Sequence, residues 1–267
     1  MNEPAPSAAP AVATSRKGTI VVVVEDHFVQ TPEGVFSTYA LPYAYWQHYL
    51  EIFKEVRPLA RVARSEVREA SWVRADGPGV RFLPLPEFRG MRQVLRYLPG
   101  NLPRMRRCLR AGDYFLLMGG NVSALAWLWL KAQRVPYARA VIGHEREAVA
   151  IMPDIQRFGI AKLMALISHW MGHVQVRGAC CANYWSRQLR AAYPPPARTP
   201  NFIIPEIELG GEVMVGPRAA EEFVAEPLHL VSVGRMNPEK GYCVLLAALK
   251  QLNDAGERRW TVEIIGP

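Results

Sequence analysis

Blocks of continuous apolar residues alternate along this chain with blocks of helical period. Residues 18–24 (GTIVVVV) form an unbroken, largely β-branched run, the pattern of a strand covered on both faces in a parallel sheet. After the loop EDHFVQTPEGVFS, Leu41, Tyr45, Tyr49 and Phe53 recur every fourth position, which predicts a helix over 39–54. Further strands are expected at 56–64, 79–86, 113–118, 137–142 and 173–177. Further helices are expected at 88–98, 102–111, 121–134, 158–171 and 181–192. Pro99-Gly100, Gly119-Gly120 and Pro194-Pro195-Pro196 punctuate them. Such alternation predicts a doubly wound α/β fold with a parallel sheet and right-handed crossovers over residues 18–205.

Residues 206–226 have no strong period and read as a linker. A new strand–helix–strand unit follows. It has a strand at 227–234, a loop at 235–241, a helix at 242–255 and a strand at 260–265. Val244, Leu245, Ala248, Leu249 and Leu252 make one apolar stripe on that helix. The expectation is a second domain represented by its first βαβ unit, in an incomplete fragment that is inactive alone.

Composition narrows the class. Of 267 residues, 50% are hydrophobic and 21% charged, so a core can be buried and wholesale disorder is excluded. Four cysteines do not make a disulfide scaffold. Residues 1–17, rich in Ala and Pro without an apolar segment, read as a disordered tail. The default compartment is then the cytoplasm, with reduced thiols. The uncharged run 114–130 is broken by Gly119-Gly120-Asn121 and does not read as a membrane span. The net charge of +8 is concentrated between Arg89 and Arg110, which holds seven arginines and no acid. Arg89, Arg92 and Arg96 share one helical face, a pattern shared by an amphipathic helix at an anionic bilayer and by a solvated basic face. Nucleic acid is disfavoured, since Tyr97 is the segment's lone aromatic beyond Phe88 at its edge.

The densest chemistry lies at 231–267. A strand ends in Gly234, Arg235 follows, and Lys240-Gly241 opens a helix. A guanidinium fork, a point-charge ammonium and a helix N-terminus together suit a diphosphate. SVGRMNPEKGYCVLLAALKQL, closing on VEIIGP, resembles the start of the second domain of family-four GT-B glycosyltransferases, which carry Gly-Arg and Glu-Lys-Gly there. The likeness implies a Rossmann-like acceptor domain at 18–205, a nucleotide-sugar domain from 227, and retained anomeric configuration without a metal or other cofactor. It implies that Arg235 and Lys240 hold the pyrophosphate of a nucleotide-sugar donor. GACCANYWSRQLRAAYPPPARTPNFI is similar to the family's last N-domain helix, and YARAVI followed by Gly143-His144-Glu145 resembles its strand-then-His loop. There His144 would face the donor sugar as the catalytic candidate; the other reading is an unliganded loop imidazole. The family's Gly-Gly pair after the first strand is represented by one glycine, Gly34, and its paired-glutamate motif has no counterpart before residue 267.

Other chemistries are disfavoured. No Asp-x-Asp, no G-x-G-x-x-G and no G-x-x-x-x-G-K-[ST] occurs. His169 and His173 stand one turn apart, but without a third ligand they do not make a metal site. Cys180-Cys181 read as buried small residues. Glu145 and Glu147 read as a solvated loop rather than an acid–base cluster. The resulting expectation is a glycosyltransferase acting on a carbohydrate or lipid-linked acceptor, cytoplasmic or peripheral at the inner membrane face. The alternatives are a nucleotide-sugar epimerase of the same architecture and a non-catalytic acceptor- or membrane-binding module.

Overall fold

The computed structural model describes residues 17–38, 41–87, 103–110, 112–145, 161–204, 227–234, 236 and 240–266. The chain divides into two compact units, residues 1–206 and 207–267.

The first unit is built on a mostly parallel sheet. Its strands are β1 (Lys17–Thr31), β2 (Gly34–Ser37), β3 (Phe53–Arg64), β4 (Val73–Arg74), β5 (Leu83–Leu85), β6 (Tyr114–Leu117), β7 (Ala138–Val141), β8 (Cys181–Tyr184) and β9 (Asn201–Ile203). The parallel order is β5-β3-β1-β6-β7-β8-β9. β2 and β4 are antiparallel additions beside the distal half of β1. This is a doubly wound order, reversing direction at β1, with a crevice between the carboxyl ends of β1 and β6. Residues 20–24 of β1 are buried on both sides, as the apolar run requires.

Helices cover both faces. α1 (Tyr43–Leu50) packs against Ile20, Val22 and Val24 through its fully buried Trp46. On the other face lie α2 (Gly120–Ala132), the helical residues 103–109 and α3 (Ala161–Gly178). Val21, Val23, Leu117, Met105, Leu109, Ala126 and Leu130 make that core. α4 (Arg187–Ala192) closes a third cluster with Tyr184 and Tyr193.

Several sequence expectations are corrected. β1 does not end at Val24; it runs to Thr31 and turns back as a hairpin with β2, in register Thr31↔Gly34 through Phe28↔Ser37. The helix expected over 39–54 is shortened to Tyr43–Leu50 among the described residues, and Phe53 opens β3. Residues 173–177 are not a strand but the last turns of α3, with Gln175 and Val176 both buried. The sheet position beside β7 is taken instead by 181–184, where Ala182 and Tyr184 are buried and alternate with half-buried neighbours. The following helix therefore starts at Arg187, N-capped by Ser186, whose Oγ accepts the Leu189 N–H at 3.1 Å. Cys180 is exposed and Cys181 half-buried, so neither is a core residue. The segment expected to be helical at 88–98 lies outside the described residues.

The second unit pairs β10 (Leu228–Val233) with β11 (Trp260–Ile265) in parallel, joined by α5 (Tyr242–Asp254). Leu249 is buried, while Val244 and Leu252 of the expected stripe are exposed. Two strands spaced about 5 Å apart cover only a narrow strip of a helix.

Candidate functional site

A β-bulge shapes the carboxyl end of β1. Val23 faces Leu59 on β3, but His27 faces Arg61, so 24–26 stand against Ala60 alone. Bulges re-aim side chains next to functional crevices. Here the bulge holds Glu25, whose two carboxylate oxygens are both engaged. Oε2 accepts the backbone N–H of Val122 at 2.9 Å, in the first turn of α2. Oε1 lies 3.1 Å from Nη2 of the buried Arg61, which also donates to the Glu25 carbonyl. Burial pushes the Glu25 carboxyl up to about 7; Arg61 and the Val122 N–H oppose the rise, and Asp26 reinforces it. Asp26 is raised by burial in the same way, again against Arg61.

The turn entering α2 explains how the carboxylate comes so close. Gly119 and Gly120 have φ of +99° and +77°, open to glycine and strained for other residues. A Cβ on Gly120 would fall 2.5 Å from the Glu25 side chain, and one on Gly119 3.3 Å from Arg139. Adjacent glycines thus border two charged groups at the switch point.

The second group is built on β7. Arg139 is 2% exposed, donates to the Leu117 carbonyl at 3.2 Å and pairs with Glu145. Burial draws the guanidinium pKa down while Glu145 opposes this; burial draws Glu145 up while Arg139 opposes that. Glu145 is therefore a paired, largely buried group, which corrects its reading as part of a solvated loop. Its backbone N–H donates to the Tyr193 hydroxyl at 3.2 Å. Gly172 of α3 admits it, since a Cβ there would lie 2.7 Å from Glu145 Oε2 and 2.8 Å from Tyr193.

Three imidazoles gather on Tyr193. The rings of His169 and His173 lie 5.1 Å from it and that of His144 6.2 Å. The Nε2 atoms of His169 and His173 face each other at 3.2 Å. Burial, His169 and Arg177 together lower the pKa of His173. Among the described residues no three His, Cys, Asp or Glu side chains gather to hold a metal ion.

The residues proposed from sequence fall in different places. His144, half-buried, stands at the end of β7 beside this cluster. Gly34 opens β2 with φ +143°, where a Cβ would lie 2.9 Å from the Asp76 carboxylate that accepts the Val35 N–H. The hairpin alone accounts for a glycine there. Lys240 is exposed, and its stem passes Gly234, whose Cβ position lies 3.6 Å from Lys240 Cδ and Cε. Gly241, at φ +69°, caps α5, and the Tyr242 hydroxyl donates to the Gly234 carbonyl at 2.9 Å. Arg235, Arg89, Arg92 and Arg96 lie outside the described residues. Glu25, Arg61, Arg139 and Glu145 were not singled out as a cluster by sequence reasoning. The available signal was a charged residue inside a strand, as in LARVA and YARAV, since a buried arginine needs a partner.

No protein-family model matches the chain. No curated protein matches it either. Among solved structures it is similar to a UDP-N-acetylglucosamine 2-epimerase from Rickettsia bellii, with 9% identity and a TM-score of 0.44. That match covers 94% of this chain and 62% of the other. It is also similar to the glycotransferase of kitacinnamycin, with 14% identity and a TM-score of 0.42, over 94% of this chain and 66% of that one. The chain thus spans less than two thirds of the length of either. No described helix is long and apolar enough to cross a membrane.

Proposed function

We propose that the chain is part of a sugar-nucleotide enzyme of the GT-B type, acting as a retaining glycosyltransferase without a metal. Support comes from the Gly-Arg and Glu-Lys-Gly segments, from the switch-point cluster of the first unit, and from the turn of the second. The observation that carries the reading is that turn. Lys240 runs along Gly234 at the carboxyl end of β10, and Gly241 stands at the N-cap of α5 with no side chain capping that end. A strand end, an ammonium and a helix N-terminus are the elements a diphosphate needs.

In this reading Lys240 and Arg235 neutralise the charge that grows on the diphosphate as its bond to the anomeric carbon breaks. The new bond forms to an acceptor hydroxyl oxygen, whose proton must leave. The departing diphosphate oxygen, on which negative charge grows, receives it. His144 faces the sugar. The acceptor is a carbohydrate or a lipid-linked sugar.

The test is incubation of nucleoside-diphosphate sugars with and without hydroxyl-bearing acceptors, followed by chromatography. Transfer predicts nucleoside diphosphate released only when acceptor is present. Conversion of the donor to a stereoisomer without acceptor would replace this reading with an epimerase. Binding without either reaction would make it a non-catalytic module.

A further inference from the structure

α3 carries an apolar stripe that nothing described in the first unit covers. Leu163, Leu166, Ile167 and Trp170 follow one another at steps of three, one and three, so they share one side of the helix. They are 57%, 62%, 41% and 57% exposed. The opposite side of α3 is the packed one, through Ala165, Gln175 and Val176. A contiguous exposed patch with a tryptophan at its end marks an interaction surface.

The surroundings of the stripe define the partner. α2, α3 and residues 103–109 all rest on the same side of the sheet, sharing one core cluster. Their exposed residues therefore face outward together. Residues 103–110, α2 and α3 contain no Asp or Glu. They expose Arg104, Arg106, Arg107 and Arg110 beside 103–109, Lys131 on α2, and Lys162 and Arg177 on α3. Leu128 of α2 adds a further outward apolar side chain, 51% exposed. An apolar helical stripe with a tryptophan, bordered by cations and free of acids, is the composition of a surface that lies in a charged lipid interface. Self-association fits poorly, because a two-fold contact would set this cationic border against its own copy.

We infer that this face of the first unit docks on an anionic lipid bilayer, with Leu163, Leu166, Ile167 and Trp170 entering the headgroup region and the flanking cations on lipid phosphates. The assignment stands apart from Arg89, Arg92 and Arg96. It also stands apart from the sugar-nucleotide reading, since its readout is binding and not turnover.

The experiment is vesicle flotation of the full chain with phosphatidylcholine, with and without phosphatidylglycerol. Binding is expected to the mixed vesicles and to weaken as salt rises. Ile167→Glu with Trp170→Glu should reduce it about tenfold or more. Both side chains are already exposed, so the variant should keep the wild-type thermal transition. A second measurement needs no charge change. Brominated lipid should quench a share of the tryptophan fluorescence that disappears in Trp170→Phe. Unaltered flotation of the double variant, or equal quenching in Trp170→Phe, overturns the proposal. So does a concentration-dependent dimer that Ile167→Glu dissociates, which would make the face an interface between copies.

Discussion

Glu25 and Val122 are 97 residues apart in the chain, yet the Glu25 carboxylate accepts the Val122 N–H at 2.9 Å. That bond fastens the bulged end of β1 to the first turn of α2. It also fills the anion-favouring N-terminus of α2 with the protein's own carboxylate. That end of the crevice therefore has its anion already in place.

The fit between Glu25 and the glycine turn is tight enough to test. Gly120→Ala places a methyl group 2.5 Å from the carboxylate at a φ of +77°. Stability should fall by about 1–3 kcal/mol, from overpacking and left-handed strain. In a Glu25→Ala background the same change should cost less, because the clash is gone and only the strain remains. Denaturant unfolding of the four proteins measures the difference.

Arg139 and Glu145 form a buried pair, and breaking it exposes the cost of an uncompensated charge. Arg139→Met should destabilise by about 3–5 kcal/mol. Arg139→Met with Glu145→Gln should lose less than the sum of the single changes, since neither charge is then stranded. A thermal-unfolding double-mutant cycle that came out additive would show the pair to be uncoupled.

The Glu25 carboxyl also sets a direction for pH dependence. Its pKa is raised in the folded state from 4.5 to about 7, so the fold binds this proton more tightly than the unfolded chain does. The resulting stability is fully present below about pH 4.5 and is lost as pH rises through about 7. Asp26 and Glu145, also raised, act in the same sense. The Glu25 contribution should lower the wild-type thermal midpoint between about pH 4.5 and 7, and Glu25→Gln should show a shallower fall. Identical slopes would place the Glu25 carboxyl near its ordinary value.

Lys240 offers the direct check on the proposed diphosphate contact. Lys240→Ala should weaken nucleoside-diphosphate binding about tenfold, the worth of one charge-assisted contact. Lys240→Arg should retain most of it. Calorimetric titration with a nucleoside diphosphate and with the bare nucleoside separates loss of the phosphate contact from loss of the whole site.

Much of the architecture was legible in residue order. GTIVVVV can only be satisfied by cover on both faces, and it forms the first half of β1; DYFLLM, YARAV and the helix after Gly119-Gly120 were equally clear. These are local consequences of side-chain period and of glycine punctuation. The misreading at 173–177 has a physical cause. HVQVR has a strand's composition, yet it is helical, because Gln175 and Val176 both find burial on α3 while 181–184 hold the sheet position beside β7. Composition states what a segment tolerates, and packing decides which tolerated form wins.

The candidate residues of the two units divide along the same line. Gly234, Lys240 and Gly241 were readable because a strand end, a short loop and a helix start are neighbours in sequence, so their geometry is local. The cluster of Glu25, Arg61, Arg139 and Glu145 was not, although each residue could be read off the chain. It depends on a bulge that turns Glu25 toward Val122, on Arg61 arriving from β3, and on Gly119, Gly120 and Gly172 leaving room for the carboxylates. Burying a charge demands a partner, and only the tertiary structure decides which one arrives.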